Sequence, residues 1–534
     1  MTTQHGFVRG LDSVSESSVR EGRFGRMFRN LDAAFFPEKA LIALGQTMIS
    51  GEFAEKFKDR KKADNALGEK DDEENLHIPA GYTYFGQFID HDITFDPTSS
   101  LDRDNDPDAL HNFRTPRLDL DSMYGTGPDD QPFLYSDDGM HLLLGDDISS
   151  DGKPRPDLPR NNSIRARALT GDKRNDENKI ISQLHVLFLR FHNAVLDREF
   201  AKRKDDLEAV KGNRKETAQI KSEIFAETQR LVRWHYQWIV IHEYLPRVCG
   251  KKAVSDIMKG EDGSPDLKFF KPKSDLGYLP VEFSGACFRF GHSMVRPSYH
   301  LNQFLIGKSP APNPQETAHG KLEFNRIPIF SLVGGSGKKN LANLNSFDAL
   351  PDKWGIDWAF FFDGLGNGKN LPQHSYKIDS SLVDPLELLP DHSGQPKERQ
   401  SLANLNLIRG MRLGLPSGQS IAKRMGLVPL TDRKLFDKEG GGDNADQRKT
   451  LLANRANGFV GKAPLWYYIL REAEVLSDSA HLGPVGGRIV AEVLIGLVAH
   501  DRKSYLMVEP NWQPEFGITK GKFTMADLVK IVEA

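Results

Sequence analysis

A run of charged and polar residues inside an apolar stretch limits how this chain can fold. Residues 84–97 read YFGQFIDHDITFDP, so Asp90, His91 and Asp92 follow one another among aromatic and aliphatic side chains. Such side chains are rarely buried unless they are ion-paired, hydrogen-bonded or bound to a metal or cofactor. The rest of the chain must therefore supply partners for all three.

The stretch is bounded by prolines, and about four turns of helix fit between them. Residues three and four apart share one face of a helix, whereas the next residue along points elsewhere. One polar stripe of this predicted helix consists of Gln87, Asp90, His91 and Thr94. Asp92 lies outside the stripe, so the three neighbours are expected to serve two different sites. The alternative is a buried ion pair of Asp90 with His91, with Asp92 in a cap or turn.

Composition excludes several classes of protein. The chain has 534 residues, of which 38% are hydrophobic and 27% charged, and its net charge is −3. No excess of positive charge points to nucleic acid or an acidic membrane as a partner. Two cysteines cannot form a disulfide framework. Without an apolar signal segment or a run that could span a bilayer, we expect a soluble cytoplasmic protein, or one exported without an N-terminal signal peptide.

Hydrophobic periodicity predicts a mainly α fold. Apolar residues recur at helical spacing in three long segments, and the strand signals near 327–333 are short. The predicted helices cover residues 180–195, 218–244 and 485–497. Loops rich in Gly, Pro and Asp join them, so long loops should fold onto a helical core.

The domain organisation follows from one charged segment. Residues 56–75, KFKDRKKADNALGEKDDEEN, are almost all charged or small, which indicates a solvated surface segment. We therefore predict an N-terminal arm over residues 1–55, a charged surface segment over 56–79 and one large domain over 80–534.

An alternating segment is typical of a cation-binding loop. In TPRLDLDS, an extended backbone places the side chains of Thr115, Arg117, Asp119 and Asp121 on one side. Carboxylates, a hydroxyl and backbone carbonyls are ligands that Ca²⁺ prefers, and Asp92 could supply another carboxylate. The alternative is a turn in which the Asp side chains cap backbone N–H groups.

Three further segments carry polar residues that are ordinary when each is taken alone. In GDKRNDEN, Arg174 and Glu177 could form a salt bridge at a helix start. In FRFGHSMVRP, His292 could be a core histidine. In LNLIRGMRLGLP, Asn406 and Arg409 could be ordinary helix residues.

Taken together, six segments resemble the animal-type haem peroxidase superfamily over about residues 80–500. In chain order they are GQFIDHD, RTPRLDLDSMYG, GDKRNDE, LFLRFHN, FRFGH and LNLIRGMRLGLP. The resemblance implies one large helical haem peroxidase domain with long loops and little strand. It also implies a haem-dependent enzyme that reduces hydrogen peroxide and oxidises halides, thiocyanate or small aromatic donors. In lacking the disulfides and signal segment that are typical of secreted members, the chain resembles a bacterial branch of the family.

The same resemblance implies a role for each residue of the haem site. His91 corresponds to the distal histidine, Arg174 to the distal arginine and Gln87 to the distal glutamine that lines the halide pocket. His292 corresponds to the proximal ligand of the haem iron, and Asn406 to its hydrogen-bond partner.

Haem attachment and calcium binding are implied in the same way. Asp90 and Glu177 match the carboxylates that form ester bonds to haem b, and Arg409 matches a contact to a haem propionate. Asn178 stands where one mammalian member has a haem-linked methionine, so no third covalent bond is expected. The implied calcium ligands are Asp92, Thr115, Arg117 through its carbonyl, Asp119 and Asp121.

Three other functions remain open at the level of sequence. A fatty-acid oxygenase of the same superfamily resembles cyclooxygenase, with a tyrosine three residues before the proximal histidine; this chain has Arg289 there, between Phe288 and Phe290. A metal-dependent hydrolase of the HD type could use His91 and Asp92 as metal ligands. A catalytically inactive adhesion or calcium-binding protein is the third.

Overall fold

The computed structural model shows a mainly α protein, as the periodicity predicts. It describes residues 22–49, 73–96, 101–102, 104–106, 110–149, 151–164, 166–260, 264–272, 277–305, 326–330, 343–366, 372–437 and 444–534. Most of the charged segment predicted over residues 56–79 lies outside these ranges. None of the helices in the described ranges has the length and hydrophobicity needed to cross a membrane.

Helices make up most of the regular structure. In chain order the α-helices are α1 (Glu38–Gln46), α2 (Gly81–Ile93), α3 (Asp121–Tyr124), α4 (Lys179–Lys202), α5 (Lys204–Ala209), α6 (Arg214–Ile239), α7 (Leu245–Val248), α8 (Lys251–Met258), α9 (Val281–Ser284), α10 (Leu402–Arg412), α11 (Gly418–Arg424), α12 (Asp432–Phe436), α13 (Ala445–Ala453), α14 (Leu465–Ser477), α15 (Pro484–His500), α16 (Tyr505–Val508) and α17 (Met525–Glu533). A π-helical turn, Val240–Tyr244, joins α6 to α7. Short 3₁₀ helices cover Pro132–Leu134, Lys173–Asp176, Cys287–His292, Trp358–Phe360, Asp384–Glu387, Pro390–His392, Lys397–Arg399 and Arg455–Asn457.

The strands of the described ranges are short, and several of their residues are buried in the core. They are β1 (Gly22–Gly25), β2 (Glu74–Pro79), β3 (His111–Asn112), β4 (Leu279–Pro280), β5 (Ser298–Tyr299), β6 (Ile327–Pro328) and β7 (His374–Tyr376). β1 pairs antiparallel with β3 and parallel with β4. β2 pairs antiparallel with β7, and β5 with β6.

The helices predicted from periodicity are present, with longer bounds. The segment 180–195 lies inside α4, which begins where the Asn178 side chain accepts a hydrogen bond from the backbone N–H of Ile180. The segment 485–497 lies inside α15. The segment 218–244 is divided between α6 and the π-helical turn.

Helix α2 lies at the centre of the packing and carries the residues that opened the sequence analysis. It packs against α4, the 3₁₀ helix Lys173–Asp176 and the 3₁₀ helix Cys287–His292. Phe88 of α2 stacks on Phe188 of α4, with ring centroids 4.8 Å apart. The helix ends at Ile93, earlier than predicted, because the Asn112 side chain donates to the Ile93 carbonyl and Thr94 turns to an extended backbone. The apolar contacts of α2 fix the direction of its polar face.

Residues 22–49, which fall within the predicted N-terminal arm, pack onto the large domain. Glu282 is fully buried, and its carboxylate accepts hydrogen bonds of 3.0 Å from the backbone N–H groups of Met27 and Phe28. Phe24 and Phe36 are buried in the common core. The domain boundary near residue 80 stays a prediction. Removing the contacts of Glu282 tests whether residues 22–49 belong to the large domain.

We predict that Glu282→Gln destabilises the protein. An amide has one oxygen in place of two, so one buried backbone N–H loses its acceptor, at a cost of about 1–3 kcal/mol. Urea denaturation should show a lower transition midpoint than wild type. The control is Glu208→Gln, at an exposed carboxylate on α5. An unchanged midpoint for Glu282→Gln would mean that residues 22–49 are a separate arm.

Candidate functional site

One internal cavity collects most of the polar side chains singled out in the sequence. Its volume is about 310 Å³, and it lies between α2, the end of the 3₁₀ helix Lys173–Asp176 and the 3₁₀ helix Cys287–His292. Its lining includes Gln87, Asp90, His91, Glu177 and His292. Three of the four residues of the predicted polar stripe, all except Thr94, therefore line a site formed with two segments far away in sequence.

His91 is held in one protonation state. Its Nδ1 lies 2.7 Å from the side-chain oxygen of Asn175, and its Nε2 lies 3.8 Å from a carboxylate oxygen of Glu177. Burial, followed by the positive charge of Arg174, lowers the pKa of His91 to about 3. The imidazole is therefore neutral, with its proton on Nδ1 donated to Asn175. Nε2 is left as the nitrogen that can accept a proton.

Asn175 is a site residue that the sequence analysis missed. It is fully buried, and its amide nitrogen lies 2.8 Å from Nδ1 of His185. Asn175 therefore has fixed partners on both sides and aligns the His91 ring. The only signal in the sequence is its position next to Arg174.

Arg174 faces the end of α2 and does not line the cavity. Its Nη2 donates to the backbone oxygen of His91 over 3.0 Å and pairs with Asp172 at 2.7 Å. Its guanidinium lies 4.7 Å from the centre of the Phe95 ring. In this position Arg174 acts on the cavity through its charge, which favours neutral His91.

The two carboxylates proposed to attach haem both reach the cavity. Oδ1 of Asp90 accepts a 2.9 Å hydrogen bond from the Thr94 hydroxyl, and Oε1 of Glu177 accepts a 2.7 Å bond from the Gln87 amide. Burial raises the pKa of Asp90 above its usual range and that of Glu177 to about 7. Each carboxyl has one hydrogen-bond partner that fixes its direction.

His292 lines the same cavity as His91 and has its own hydrogen-bond partner. The side-chain amide nitrogen of Asn406 lies 2.8 Å from Nδ1 of His292, and the amide oxygen of Asn406 accepts a 3.3 Å bond from Arg289. Burial, followed by the charge of Arg289, lowers the pKa of His292 to about 3. The ring is neutral, and because the Asn406 amide nitrogen donates to Nδ1, the ring proton lies on Nε2. Binding of a metal by Nε2 therefore requires the Asn406 amide to turn its oxygen toward Nδ1, which would move the ring proton to Nδ1.

Arg409, predicted to contact a haem propionate, is not among the lining residues of the cavity. Its Nη1 lies 3.9 Å from an oxygen of Asp96. Its charge acts on Arg289, which does line the cavity and whose pKa is lowered to about 10 by burial and by Arg409. Two cations therefore lie close together beside the cavity.

A second cluster lies behind α2. Asp92, Asp119 and Asp121 offer carboxylate oxygens within 4.8 Å of one another. The Thr115 hydroxyl donates to Asp119 over 3.0 Å, and the backbone N–H of Leu120 donates to Asp92 over 3.2 Å. The loop that was expected to be extended turns at its end, because Leu120 has a φ of 59° and α3 begins at Asp121. Arg117 lies in the same loop.

The chemistry of this cluster fits a hard cation. Oδ1 of Asp92 is buried and has no hydrogen-bond partner among the described residues. Burial, followed by the charges of Asp119 and Asp121, raises the pKa of Asp92 well above its usual range. Burial also raises the pKa of Asp121 to about 7, with Asp119 adding to the effect and Arg114 opposing it. A divalent cation with oxygen ligands would neutralise the repulsion among these carboxylates and coordinate the unpartnered atom.

Comparison with known proteins confirms the resemblance to animal haem peroxidases. Residues 101–331 match the family model described as animal haem peroxidase, a range that includes Arg174, Glu177 and His292. The peroxidasin homologue pxn-2 of Caenorhabditis elegans is 25% identical over 84% of this chain and 35% of its own length. Mouse myeloperoxidase is 26% identical over 34% of this chain and 22% of its own length. The chain thus spans about a third or less of these relatives.

Solved structures show the same fold at low sequence identity. Peroxidase A of Dictyostelium discoideum aligns with a TM-score of 0.58 at 18% identity, covering 96% of this chain and 93% of that structure. A fatty acid alpha-dioxygenase of Arabidopsis thaliana aligns with a TM-score of 0.55 at 13% identity, covering 95% and 75%. The fold is therefore common to a peroxidase and to a dioxygenase.

The acidic cluster behind α2 gives a prediction about calcium. We expect added Ca²⁺ to raise the thermal midpoint of the metal-free protein, because binding only to the folded state stabilises it, by about 2.7 kcal/mol at a hundred times the dissociation constant. Asp119→Asn should remove most of this response, since one charged ligand is lost. Calorimetry with and without Ca²⁺ measures it.

The matched control for this prediction is Asp129→Asn, at an exposed aspartate a few residues further along the chain. It should respond to Ca²⁺ as wild type does. Thermal stability that ignores both Ca²⁺ and chelator, together with metal analysis that finds no calcium in purified protein, would contradict a calcium site.

Proposed function

Because residues 101–331 match the animal haem peroxidase family model, we propose that this chain is a haem-dependent peroxidase of that superfamily. It reduces hydrogen peroxide and oxidises halides, thiocyanate or small aromatic donors. The observation that carries the proposal is that one cavity is lined by two neutral histidines, His91 and His292, each with an asparagine partner at Nδ1. A peroxidase needs one such imidazole as iron ligand and another as proton acceptor.

The residues around the cavity fit haem b. His292 would hold the iron through Nε2, with Asn406 as its hydrogen-bond partner, and such partners tune a ligating imidazole. Asp90 and Glu177 would form the ester bonds, and Arg409 with Arg289 would face the propionates. When bound, haem supplies the oxidation–reduction chemistry that no side chain of the cavity provides.

His91 would carry out the proton transfer. Its unprotonated Nε2 takes the proton of hydrogen peroxide and returns it to the departing oxygen, so that water leaves. Proton transfer of this kind contributes about 10²–10⁴-fold to a rate. Gln87 would help to position peroxide or a halide, and the charge of Arg174 keeps His91 neutral and ready to accept a proton.

Calcium would have a structural role in this proposal. Asp92, Thr115, the carbonyl of Arg117, Asp119 and Asp121 would bind Ca²⁺ directly behind the helix that carries His91. Because Asp92 and His91 are adjacent in sequence, binding of the cation would hold the distal histidine in position.

A fatty-acid dioxygenase is the second candidate, favoured by the shared fold of the Arabidopsis enzyme. Three residues before His292, however, stands Arg289, which donates to the Ser284 carbonyl and to Asn406. A guanidinium cannot form the radical that a tyrosine forms at that position in cyclooxygenase. The peroxidase is therefore the better supported of the two.

An HD-type hydrolase fits the geometry poorly. That chemistry needs His91 and Asp92 on one metal ion, but His91 contacts Asn175 whereas Asp92 lies with Asp119. Within the described ranges, the acidic cluster that could hold a metal contains no histidine. An inactive calcium-binding protein would be recognised by the absence of peroxide turnover.

Two histidine variants test the proposed roles. His292→Ala should lose the haem Soret band of a histidine-ligated iron and nearly all peroxidase activity, because the other histidine in the lining, His91, is held by Asn175. His91→Ala should keep haem but react with peroxide at least about 10²-fold more slowly than wild type, since only proton transfer is lost. Absorption spectra and stopped-flow kinetics measure the two effects.

His141→Ala is the control for both variants, because His141 is partly exposed and pairs with Asp138 away from the cavity. It should bind haem and react with peroxide as wild type does. A normal Soret band in His292→Ala, or a peroxide rate in His91→Ala within a few-fold of wild type, would remove the corresponding residue from its role.

Covalent attachment gives a separate prediction. Hydrogen peroxide should increase the fraction of haem that stays with the polypeptide in acidified organic solvent, because the ester bonds form in an oxidative step. The double variant Asp90→Val, Glu177→Gln should release all of its haem, and each single variant should retain a link through the remaining carboxylate. Mass spectrometry of the denatured protein measures the fraction.

Free haem alone in peroxide-treated wild type would contradict the ester bonds. Asp90 and Glu177 would then be structural carboxyls held by Thr94 and Gln87, and the expectation of halide oxidation would lose its support.

A further inference from the structure

A second cavity opens at the surface beside the π-helical turn Val240–Tyr244 and helix α7. Its volume is about 910 Å³. Its lining combines the aromatic rings of Trp238 and Phe523 with the ammonium groups of Lys251 and Lys522, both of which are exposed residues. His242 also lines it, with its ring centroid 3.8 Å from that of Trp238. A lining that combines aromatic rings with ammonium groups suits an aromatic anion.

One hydrogen-bonded pair of side chains joins the linings of the two cavities. Tyr82 lines the cavity that contains both proposed haem histidines, and Glu243 lines the surface cavity. The Tyr82 hydroxyl donates to Oε1 of Glu243 over 2.6 Å. Arg247, another lining residue of the surface cavity, places its guanidinium 4.5 Å from the centre of the Tyr82 ring. The Tyr82 side chain is only 1% exposed, so the link between the two cavities is a buried hydrogen bond and not a solvent channel.

The local backbone is unusual at this point. His242 and Glu243 belong to the π-helical turn Val240–Tyr244, where the regular α-helix is interrupted. Such turns are rare and are found frequently at functional sites. Here the turn places Glu243 against Tyr82 and against the backbone N–H of Met525, which donates to its other oxygen over 2.8 Å.

We propose that the surface cavity binds aromatic anions as electron donors, and that Tyr82 with Glu243 passes their electrons to the haem cavity. This inference rests on the proposed peroxidase function, because peroxide-oxidised haem is the electron acceptor. It assigns the surface cavity to donors too large for the 310 Å³ cavity, whereas halides would react inside it.

The step balances in electrons and protons. Tyr82 gives one electron to the haem that peroxide has oxidised and its phenolic proton to Glu243, which leaves a neutral tyrosyl radical and a carboxylic acid. The bound donor then gives one electron to the radical, and Glu243 returns the proton. Two donor molecules oxidised in this way, with one H₂O₂ and two protons from solvent, yield two donor radicals and two molecules of water.

The protonation states agree with this step. Burial, followed by the charge of Glu243, raises the pKa of Tyr82 well above its usual range, so the phenol keeps its proton until it is oxidised. Burial raises the pKa of Glu243 to about 7, so near neutral pH the carboxyl can both take and return a proton. Loss of the electron and loss of the proton are therefore coupled through one hydrogen bond.

The first test measures binding to the haem-free protein. The probe is the aromatic disulfonate ABTS, titrated by calorimetry. Lys251→Gln combined with Lys522→Gln should raise its dissociation constant about tenfold, since two ion pairs with sulfonate are lost. The control Lys252→Gln removes an exposed neighbouring lysine that pairs with Asp256, and it should bind as wild type does. Equal affinity in wild type and the double lysine variant would overturn the binding site.

The second test follows electrons in the haem-loaded enzyme. The amide oxygen of Glu243→Gln can still accept the Tyr82 hydrogen bond, although the Met525 N–H then loses its acceptor, and the amide cannot take the phenolic proton as a carboxylate does. Peroxide-dependent ABTS oxidation should fall at least about tenfold, as expected when a proton acceptor is lost. Iodide oxidation should stay at the wild-type rate. Unchanged ABTS oxidation would overturn the relay.

A spectroscopic measurement identifies the tyrosine. Freeze-quenched enzyme with peroxide and no donor should show a tyrosyl radical in its electron paramagnetic resonance spectrum, which narrows with ring-deuterated tyrosine and is absent in Tyr82→Phe. The same signal in Tyr82→Phe would overturn the assignment. A preparation that binds ABTS in the haem-free form yet oxidises neither iodide nor ABTS would refute the proposed peroxidase and keep the binding site.

Discussion

The geometry of α2 is the constraint on which the rest of the structure depends. Successive residues of an α-helix are turned by about 100°, so Asp90, His91 and Asp92 cannot share a partner. His91 contacts Asn175, Asp90 contacts Thr94, and Asp92 joins the acidic cluster. Stacking of Phe88 on α4 buries the helix and leaves these polar side chains dependent on protein partners. One helix thereby connects the cavity with the cluster behind it.

A chain of ion pairs links the acidic cluster to the end of α2. Arg114 lies 3.3 Å from Asp121 and 2.6 Å from Asp172, and Asp172 lies 2.7 Å from Arg174. Although burial opposes it, the hydrogen bond and charge of Arg174, with the charge of Arg114, hold the pKa of Asp172 well below its usual range. Asp172 thus stays ionised between two guanidiniums. A cation at the acidic cluster would compete with Arg114 for Asp121. The change would then affect Arg174 through the ion pairs that Asp172 forms with both arginines.

Spacing along the chain predicts what one helix or loop contains, but not which distant segment meets it. The polar stripe of α2 follows from the helical period of 3.6 residues, and most of its residues line the cavity. The convergence of Asp119 with Asp121 follows from the strand period of 2 residues. The contact of His91 with Asn175 joins residues 84 positions apart and depends on how α2 packs beside the 3₁₀ helix Lys173–Asp176. Asp172 was missed for the same reason. Arg174 lies beside the cavity and not in it, because its guanidinium donates a hydrogen bond to the backbone carbonyl of His91.

The most direct test separates a peroxidase from a dioxygenase that shares its fold. One haem-loaded preparation would be assayed for triiodide formation from iodide and hydrogen peroxide, and for oxygen uptake with palmitic acid in an oxygen electrode. The account predicts rapid triiodide formation and no fatty-acid-dependent oxygen uptake, because Arg289 cannot form the required radical. Oxygen uptake with palmitic acid, without halide oxidation, would contradict it.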